Sequence, residues 1–251
     1  MDDLKAKVVL ITGASTGIGA GCAKALGALG SRVVVHYHSS ADAAAEVARE
    51  VRRMGGEALQ VQGDLRKTAE CERVVKAAVE RFGRIDVLIN NAGALVRRVP
   101  ITEISDEVLD DIFNLNVRSM LMCTKFAVPH MHHGASIINL TSIAARHGGG
   151  PGAALYAGSK GFVSTATKGL AKELVGRGIR VNAVSPGVVT TPFHDKFSTP
   201  EQLEAMRQTI PMGRLGTVDE CVGAFLYLAS ERLSGYVTGQ VIEVNGGQYM
   251  P

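Results

Sequence analysis

The stretch TGASTGIG (12–19) constrains this chain more than any other. It overlaps the end of an apolar run, KVVLIT (7–12), and precedes an alanine-rich segment, AGCAKALGALG (20–30). The run reads as a buried strand and the segment as a helix, so Gly13, Gly17 and Gly19 occupy a strand-to-helix turn. Missing side chains there permit positive φ and let a pyrophosphate approach the backbone. The helix N-terminus adds free N–H groups and partial positive charge at the same point. Three residues separate the first two glycines, a wider gap than in the common G-x-G-x-x-G pattern. A chain that opens on such a turn is directed toward βαβ units and a parallel sheet.

The rest of the chain continues that pattern. Further β-branched runs lie at RVVVHY (32–37), ALQVQ (58–62), IDVLIN (85–90), SIINLT (136–141), IRVNAV (179–184) and QVIEV (240–244). Each is nearly continuous in apolar character, as expected of a parallel strand covered on both faces. Helical spacing marks 42–53, 68–82, 105–131, 155–176 and 218–230. The pattern predicts an α/β fold: one Rossmann-type, doubly wound parallel sheet of about seven strands, with helices on both faces. No linker or repeat divides residues 1–251, so a single domain is expected. The stretch 190–212 reads as irregular apart from a short helical piece near 201–208, and its length suggests a substrate lid.

Composition narrows the classes of partner. Of 251 residues, 46% are hydrophobic, enough for a sizeable core. The net charge of +3 is scattered, which argues against nucleic acid or an anionic membrane as the main partner. Cys22, Cys71, Cys123 and Cys221 show no metal or redox spacing and read as reduced thiols of a cytoplasmic protein. HMHH (130–133) lies at the end of a helical stretch without a third convergent ligand, so no metal site is expected.

Tyr156 and Lys160 stand four apart in YAGSK at the start of a predicted helix, which points both side chains to one site. A free tyrosine, with a pKa near ~10, is a poor acid–base group at neutral pH. An adjacent ammonium favours the phenolate and lowers that value. Ser142 ends the strand SIINLTS, where open α/β sheets bind ligands, with Thr141 as the rival hydroxyl. AARHGGGPGAAL (144–155) reads as a shaped loop beside this centre, with Arg146 and His147 placed either to touch a substrate or to lie in a solvated loop.

Taken together, TGASTGIG, NNAG (90–93), Asp64, YAGSK, SPG (185–187) and YVTGQVIEVNGG (236–247) resemble, in order and over essentially the whole chain, the short-chain dehydrogenase/reductase family. The resemblance implies a nicotinamide dinucleotide cofactor and interconversion of a ketone and a secondary alcohol by hydride transfer. It implies cofactor contacts from Gly13, Ser15, Thr16, Gly17, Ile18 and Gly19, from Asp64 and Leu65 at the adenine, and from Asn91, Ala92 and Gly93. Further contacts follow from Pro186 and Gly187, and from Val189 and Thr191 at the carboxamide, together with Tyr156 and Lys160. It selects Ser142 over Thr141 as the residue that orients the substrate oxygen. It also selects Asn116 over Asn114 as the catalytic asparagine, holding a water that links Lys160 to solvent. Tyr156 is then the general acid in reduction and general base in oxidation. The substrates so implied are a 3-oxoacyl thioester, with or without an acyl carrier protein, or a sugar, polyol or other small alcohol. A non-catalytic dinucleotide-sensing protein is the reading from another class. Relatives of this kind assemble as homotetramers through the helices near 105–127 and 155–176.

Cofactor choice rests on VVVHYHSS (33–40). Tyr37 lies eighteen residues beyond Gly19 and is expected to contact the cofactor at the adenine ribose, where NAD-selecting relatives carry an acid. No Asp or Glu occurs between Asp3 and Asp42. Thr16 stands where many NADP-selecting relatives have Arg or Lys. The expectation is a preference for NADP(H), with NAD(H) also admitted. The 2′-phosphate would be met by His38, Ser39, Ser40 and His36 in a protonation-dependent manner.

Overall fold

The computed structural model describes the backbone of all 251 residues and every side chain except those of 194–196. The strands are β1 (Val8–Ile11), β2 (Arg32–Tyr37), β3 (Glu57–Gln62), β4 (Val87–Asn90), β5 (Ser136–Leu140), β6 (Arg180–Pro186) and β7 (Val241–Val244). They form one sheet in the order β3-β2-β1-β4-β5-β6-β7, every neighbouring pair parallel. From β1 the chain winds outward to β2 and β3, then returns to pair β4 with the free edge of β1, Val9 opposite Val87. Successive connections therefore diverge at the β1/β4 boundary and leave a crevice at the strand C-termini.

Eleven α-helices accompany the sheet: α1 (Gly17–Ala28), α2 (Ala41–Arg53), α3 (Thr68–Phe82), α4 (Asp106–Phe113), α5 (Ser119–Ala127), α6 (Ala144–His147), α7 (Ala154–Leu174), α8 (Pro192–Phe197), α9 (Pro200–Gln208), α10 (Val218–Ala229) and α11 (Glu231–Ser234). Alternate strand residues serve opposite faces. Val9, Ile11, Val33 and Val35 pack with Leu26 of α1, Val47 of α2 and Phe225 of α10. Leu10, Val34, Leu88 and Ile137 pack on the other face with Val74 of α3, Cys123 of α5 and Leu174 of α7. Each such side chain, fully withdrawn from water, stabilises the fold by roughly 1.5–3 kcal/mol. Both faces are covered over the inner strands β1, β4 and β6, which is why these are buried along their whole length. Edge strand β3, in contrast, alternates and is partly exposed.

Three stretches differ from their sequence-based expectation. The helix expected over 105–131 is broken: α4 passes into a π-helical turn, Asn114–Arg118, before α5 resumes and a 3₁₀ turn, Val128–His130, ends it. The stretch expected to be irregular apart from 201–208 contains α8 as well as α9. α9 is capped by a reciprocal Thr199–Gln202 box. A six-residue helix that begins at a proline carries too little periodicity to be read beforehand. Inside 144–155, α6 forms one turn, and Gly148, Gly149 and Gly152 then take positive φ. The four cysteine thiols are unbridged and buried. Among the described residues, no helix is long and apolar enough to cross a membrane.

Candidate active site

A cavity of about 1040 Å³ runs along the C-terminal edge of the sheet, from the glycine turn to α8 and α9. Gly13 has φ +64°, and a Cβ there would stand 3.0 Å from Ala92 Cα. A Cβ on Gly19 would lie 2.5 Å from both Asn91 Nδ2 and the Gly13 carbonyl oxygen. The turn after β1 and the turn after β4 are thus in van der Waals contact, and hydrogen bonds lock them. Asn91 Nδ2 donates to the carbonyls of Thr12 (2.9 Å) and Gly13 (2.8 Å). The N–H groups of Asn91 and Ala92 both donate to Thr12 Oγ1 at 3.0 Å. No side chain caps α1, so its first-turn N–H groups and their partial positive charge stay available to an anion. A backbone cradle without side chains, a bare helix N-terminus and a long cavity together fit a dinucleotide. Ser15, Thr16, Gly17, Ile18, Asp64, Leu65, Asn91, Ala92, Gly93, Pro186, Gly187, Val189 and Thr191 line the cavity, and Gly19 does not.

The end of β2 departs from expectation. Strand alternation turns Tyr37 away from the cavity, and its ring packs on the apolar cluster that includes α1 and α10. His38, Ser39 and Ser40 line the cavity in its place. His36 lines it too, but both ring nitrogens are engaged by backbone: Nδ1 accepts from the Gly13 N–H (2.9 Å) and Nε2 donates to the Gly63 carbonyl (3.0 Å). The ring is 3% exposed and fixed in its neutral form. Burial pushes its pKa down to about 4, against the opposing pull of the Gly63 bond. His36 therefore braces the glycine turn and does not supply a cation near neutral pH, contrary to the protonation-dependent role expected of it. A neutral buried histidine binds fewer protons in the folded state than in the unfolded one between about pH 6.5 and about pH 4. Its contribution is complete above that window and lost as pH falls through it, on the order of 3 kcal/mol. Thermal unfolding is expected to show this loss in the parent protein, and His36→Asn is expected to flatten it.

Sequence reasoning missed Arg66. It embraces Asp64 through Nε and Nη2, both at 2.9 Å, and reaches Asp111 at 3.0 Å through Nη1. These bonds hold the Asp64 carboxyl below the usual carboxylate range and neutralise Arg66 as a phosphate ligand. The pairing spans only two residues in sequence, so DLR at 64–66 was the available signal.

At the other end of the cavity stand Ser142, Tyr156 and Lys160. Ser142 Oγ accepts from the Ala144 N–H (3.1 Å), which leaves its own proton to donate elsewhere. Thr141 is excluded by its bonds: its hydroxyl donates to the Lys160 carbonyl (2.8 Å) and pairs with Ser164 Oγ (2.6 Å). Lys160 Nζ donates to the Leu140 carbonyl (2.8 Å) and lies 5.9 Å from the centre of the Tyr156 ring. Burial raises the Tyr156 pKa, with the Ser142 hydroxyl pulling the other way, and pushes Lys160 down to about 8. Desolvation of the site thus sets the direction for the phenol, opposite to the lowering expected from the ammonium. Asn116 does not line the cavity. From the π turn its side chain clamps Ala94, Oδ1 accepting from the N–H (3.0 Å) and Nδ2 donating to the carbonyl (2.9 Å). Asn114 instead accepts from Arg118 Nε on the exposed side of the helix. A Cβ on Gly93 would stand 2.7 Å from Asn116 Oδ1 and 2.9 Å from Lys160 Nζ, so all three meet at one point.

The remaining wall comes from α8, α9 and the glycine-rich loop. Phe193 stacks obliquely near Tyr156, ring centres 5.8 Å apart, and Phe197 meets Phe193 at 5.0 Å. Of the two residues left open between substrate and solvent, Arg146 is paired with Glu243 at 2.9 Å and does not line the cavity, whereas His147 does.

A family model described as enoyl-(acyl carrier protein) reductase matches residues 13–248. The chain is 39% identical over 252 residues to a 3-oxoacyl-[acyl-carrier-protein] reductase of Synechocystis, with all of both chains covered. To the protein of that name from Staphylococcus epidermidis it is 37% identical, over 97% of this chain and 99% of the other. Among solved structures it is similar to an NADH-dependent reductase responsible for alginate metabolism, at 42% identity, full coverage of both chains and a TM-score of 0.93. The same reductase complexed with NAD matches at 41% identity and a TM-score of 0.90, over 100% of this chain and 99% of the other.

Proposed function

The chain belongs to the short-chain dehydrogenase/reductase family and is an oxidoreductase that interconverts a ketone and a secondary alcohol, and from that premise we propose that Tyr156, Ser142 and Lys160 are its catalytic groups. The observation that carries this reading is their convergence at one end of a cavity whose other end is the glycine cradle. The cradle, Asn91 to Gly93 and Pro186 to Thr191 would hold a nicotinamide dinucleotide, which when bound would supply or take up the hydride.

Tyr156 keeps its proton at neutral pH because burial disfavours the phenolate, which suits it to act as general acid in the direction of reduction. Ser142 donates its hydroxyl proton to the substrate oxygen, its lone pair being fixed by Ala144. Lys160, with a pKa of about 8, is still largely charged at neutral pH. Its N–H groups not used by Leu140 serve the cofactor ribose and stabilise the phenolate left by proton transfer. Asn116 is a positioning residue that holds the loop after β4 against Lys160. Phe193, Phe197 and Met206 make α8 and α9 a cover for the substrate.

For the cofactor, the site favours NADP(H) modestly and admits NAD(H). No carboxylate is offered by His38, Ser39 or Ser40 to repel a 2′-phosphate, and Asp64 is already neutralised by Arg66. His38→Asp is expected to lower the ratio of NADP to NAD affinity by about tenfold or more, read by cofactor titration. Phe162, 41% exposed on α7, supports assembly through this helix into a homotetramer. Screening carbonyl compounds with both reduced cofactors tests the function. Reduction of a ketone supports it, and cofactor binding without turnover of any ketone returns the dinucleotide-sensing alternative.

A further inference from the structure

The substrate half of the cavity has an uneven charge. Asp64 and Asp111 are the lining carboxylates among the described residues, both on the adenine side and both held by Arg66. Beyond Tyr156 the wall carries no acid among the described residues, yet it carries Arg98. Its Nε donates to the Phe197 carbonyl (3.3 Å) and its Nη1 to the Pro151 carbonyl (3.1 Å). No carboxylate of the described residues pairs with it, in contrast to Arg146 with Glu243 or Arg66 with Asp64. Two carbonyl dipoles orient the guanidinium without cancelling its charge, and Nη2 has no partner among the described residues and can donate.

The surrounding chain is shaped to place this group. Gly152, at φ +72°, is where a Cβ would press within 3.1 Å of Arg98 Cβ, and a Cβ on Gly150 would come within 3.5 Å of Nη1. Val96, two residues before, holds a positive φ of 64°, a strained conformation for a β-branched residue of the kind found at ligand sites. His147 adds a second donor. Its Nδ1 accepts from the Gly149 N–H (3.1 Å), which leaves Nε2 to carry the proton.

Resting on the ketone–alcohol reading above, we propose that the substrate is an oxo acid or hydroxy acid whose carboxylate is received by Arg98, with His147 as a second donor. An ion–guanidinium contact in a partly desolvated cavity discriminates strongly, because an uncharged analogue leaves the cation unpaired. The two carbonyl bonds keep Arg98 in place before the substrate arrives, so little ordering is needed on binding.

The test compares acetoacetate and levulinate with their ethyl esters, at saturating reduced cofactor, in the parent enzyme and in Arg98→Gln and Arg98→Lys. The proposal expects kcat/KM for at least one acid to exceed that of its ester by about tenfold or more. Arg98→Gln should lower that acid's kcat/KM by a similar factor, chiefly through KM, and leave the ester within about twofold. Arg98→Lys should recover part of the loss. Preference for the esters, or an equal fall for acid and ester in Arg98→Gln, overturns the proposal and leaves Arg98 as a brace between Phe197 and Pro151. Turnover of esters without acids does so as well, while preserving the ketone–alcohol reading. Turnover of neither acids nor esters overturns both.

Discussion

Tyr156→Phe is expected to lower kcat by about 10²–10⁴-fold while the affinity for reduced cofactor stays within about twofold. The substitution deletes one oxygen and leaves the ring, with its Phe193 contact at 5.8 Å, in place. Lys160 keeps its bond to the Leu140 carbonyl and Ser142 its bond from Ala144, so the cradle and the remaining donors are unchanged. What disappears is the phenolic proton that the proposed mechanism passes to the reacting oxygen. Fluorescence titration of reduced cofactor and steady-state turnover separate the two quantities. A variant that turns over at more than about a tenth of the parental rate would remove Tyr156 from the acid–base role.

Gly93→Ala is the second substitution with a large expected effect. The added methyl would stand 2.9 Å from Lys160 Nζ and 2.7 Å from Asn116 Oδ1, both too close to accept without movement. Asn116 is 1% exposed and bonded twice to Ala94, so it has little room to yield. The lysine or the loop must therefore shift. Misplacement of a catalytic group by about an ångström costs on the order of 10²-fold in rate. The loss is expected in kcat and in cofactor KM together, because the proposed role of Lys160 spans the reacting centre and the ribose. Circular dichroism and thermal unfolding should show a folded protein, destabilised by about 1–3 kcal/mol through overpacking. Unchanged kinetics would mean that Gly93 does not set the position of Lys160.

Much of the molecule was legible in its sequence because it depends on local pattern. The seven strands emerge from continuous β-branched runs, and the glycine turn is recognisable from its place between β1 and α1. Tyr156 and Lys160 meet because four residues on a helix bring side chains to one face. What stayed hidden depends on partners distant in the chain. His36 looked like a second phosphate ligand beside His38. Its role is set by Gly13 and Gly63, 23 and 27 residues away, which no local pattern announces. Tyr37 was assigned to the ribose from its distance beyond Gly19, but alternation along β2 turns it to the opposite face. The choice between Thr141 and Ser142 needed a family resemblance at first. The tie of Thr141 to α7 through Lys160 and Ser164 supports Ser142 and lies in partners about twenty residues away. Arg98 carried no motif at all, and its meaning appears only when Phe197 and Pro151 close around it.

The function proposed above would have hydride pass directly between a bound nicotinamide cofactor and a carbonyl carbon at the Ser142–Tyr156 end of the cavity. Its most direct measurement uses reduced cofactor deuterated at the transferring carbon, together with ethyl acetoacetate or its parent acid, and reads the product by mass spectrometry. The account predicts an alcohol carrying one deuterium on the carbinol carbon, formed by the parent enzyme and scarcely formed by Tyr156→Phe. An alcohol without deuterium, or equal labelled product from the two proteins, would contradict it.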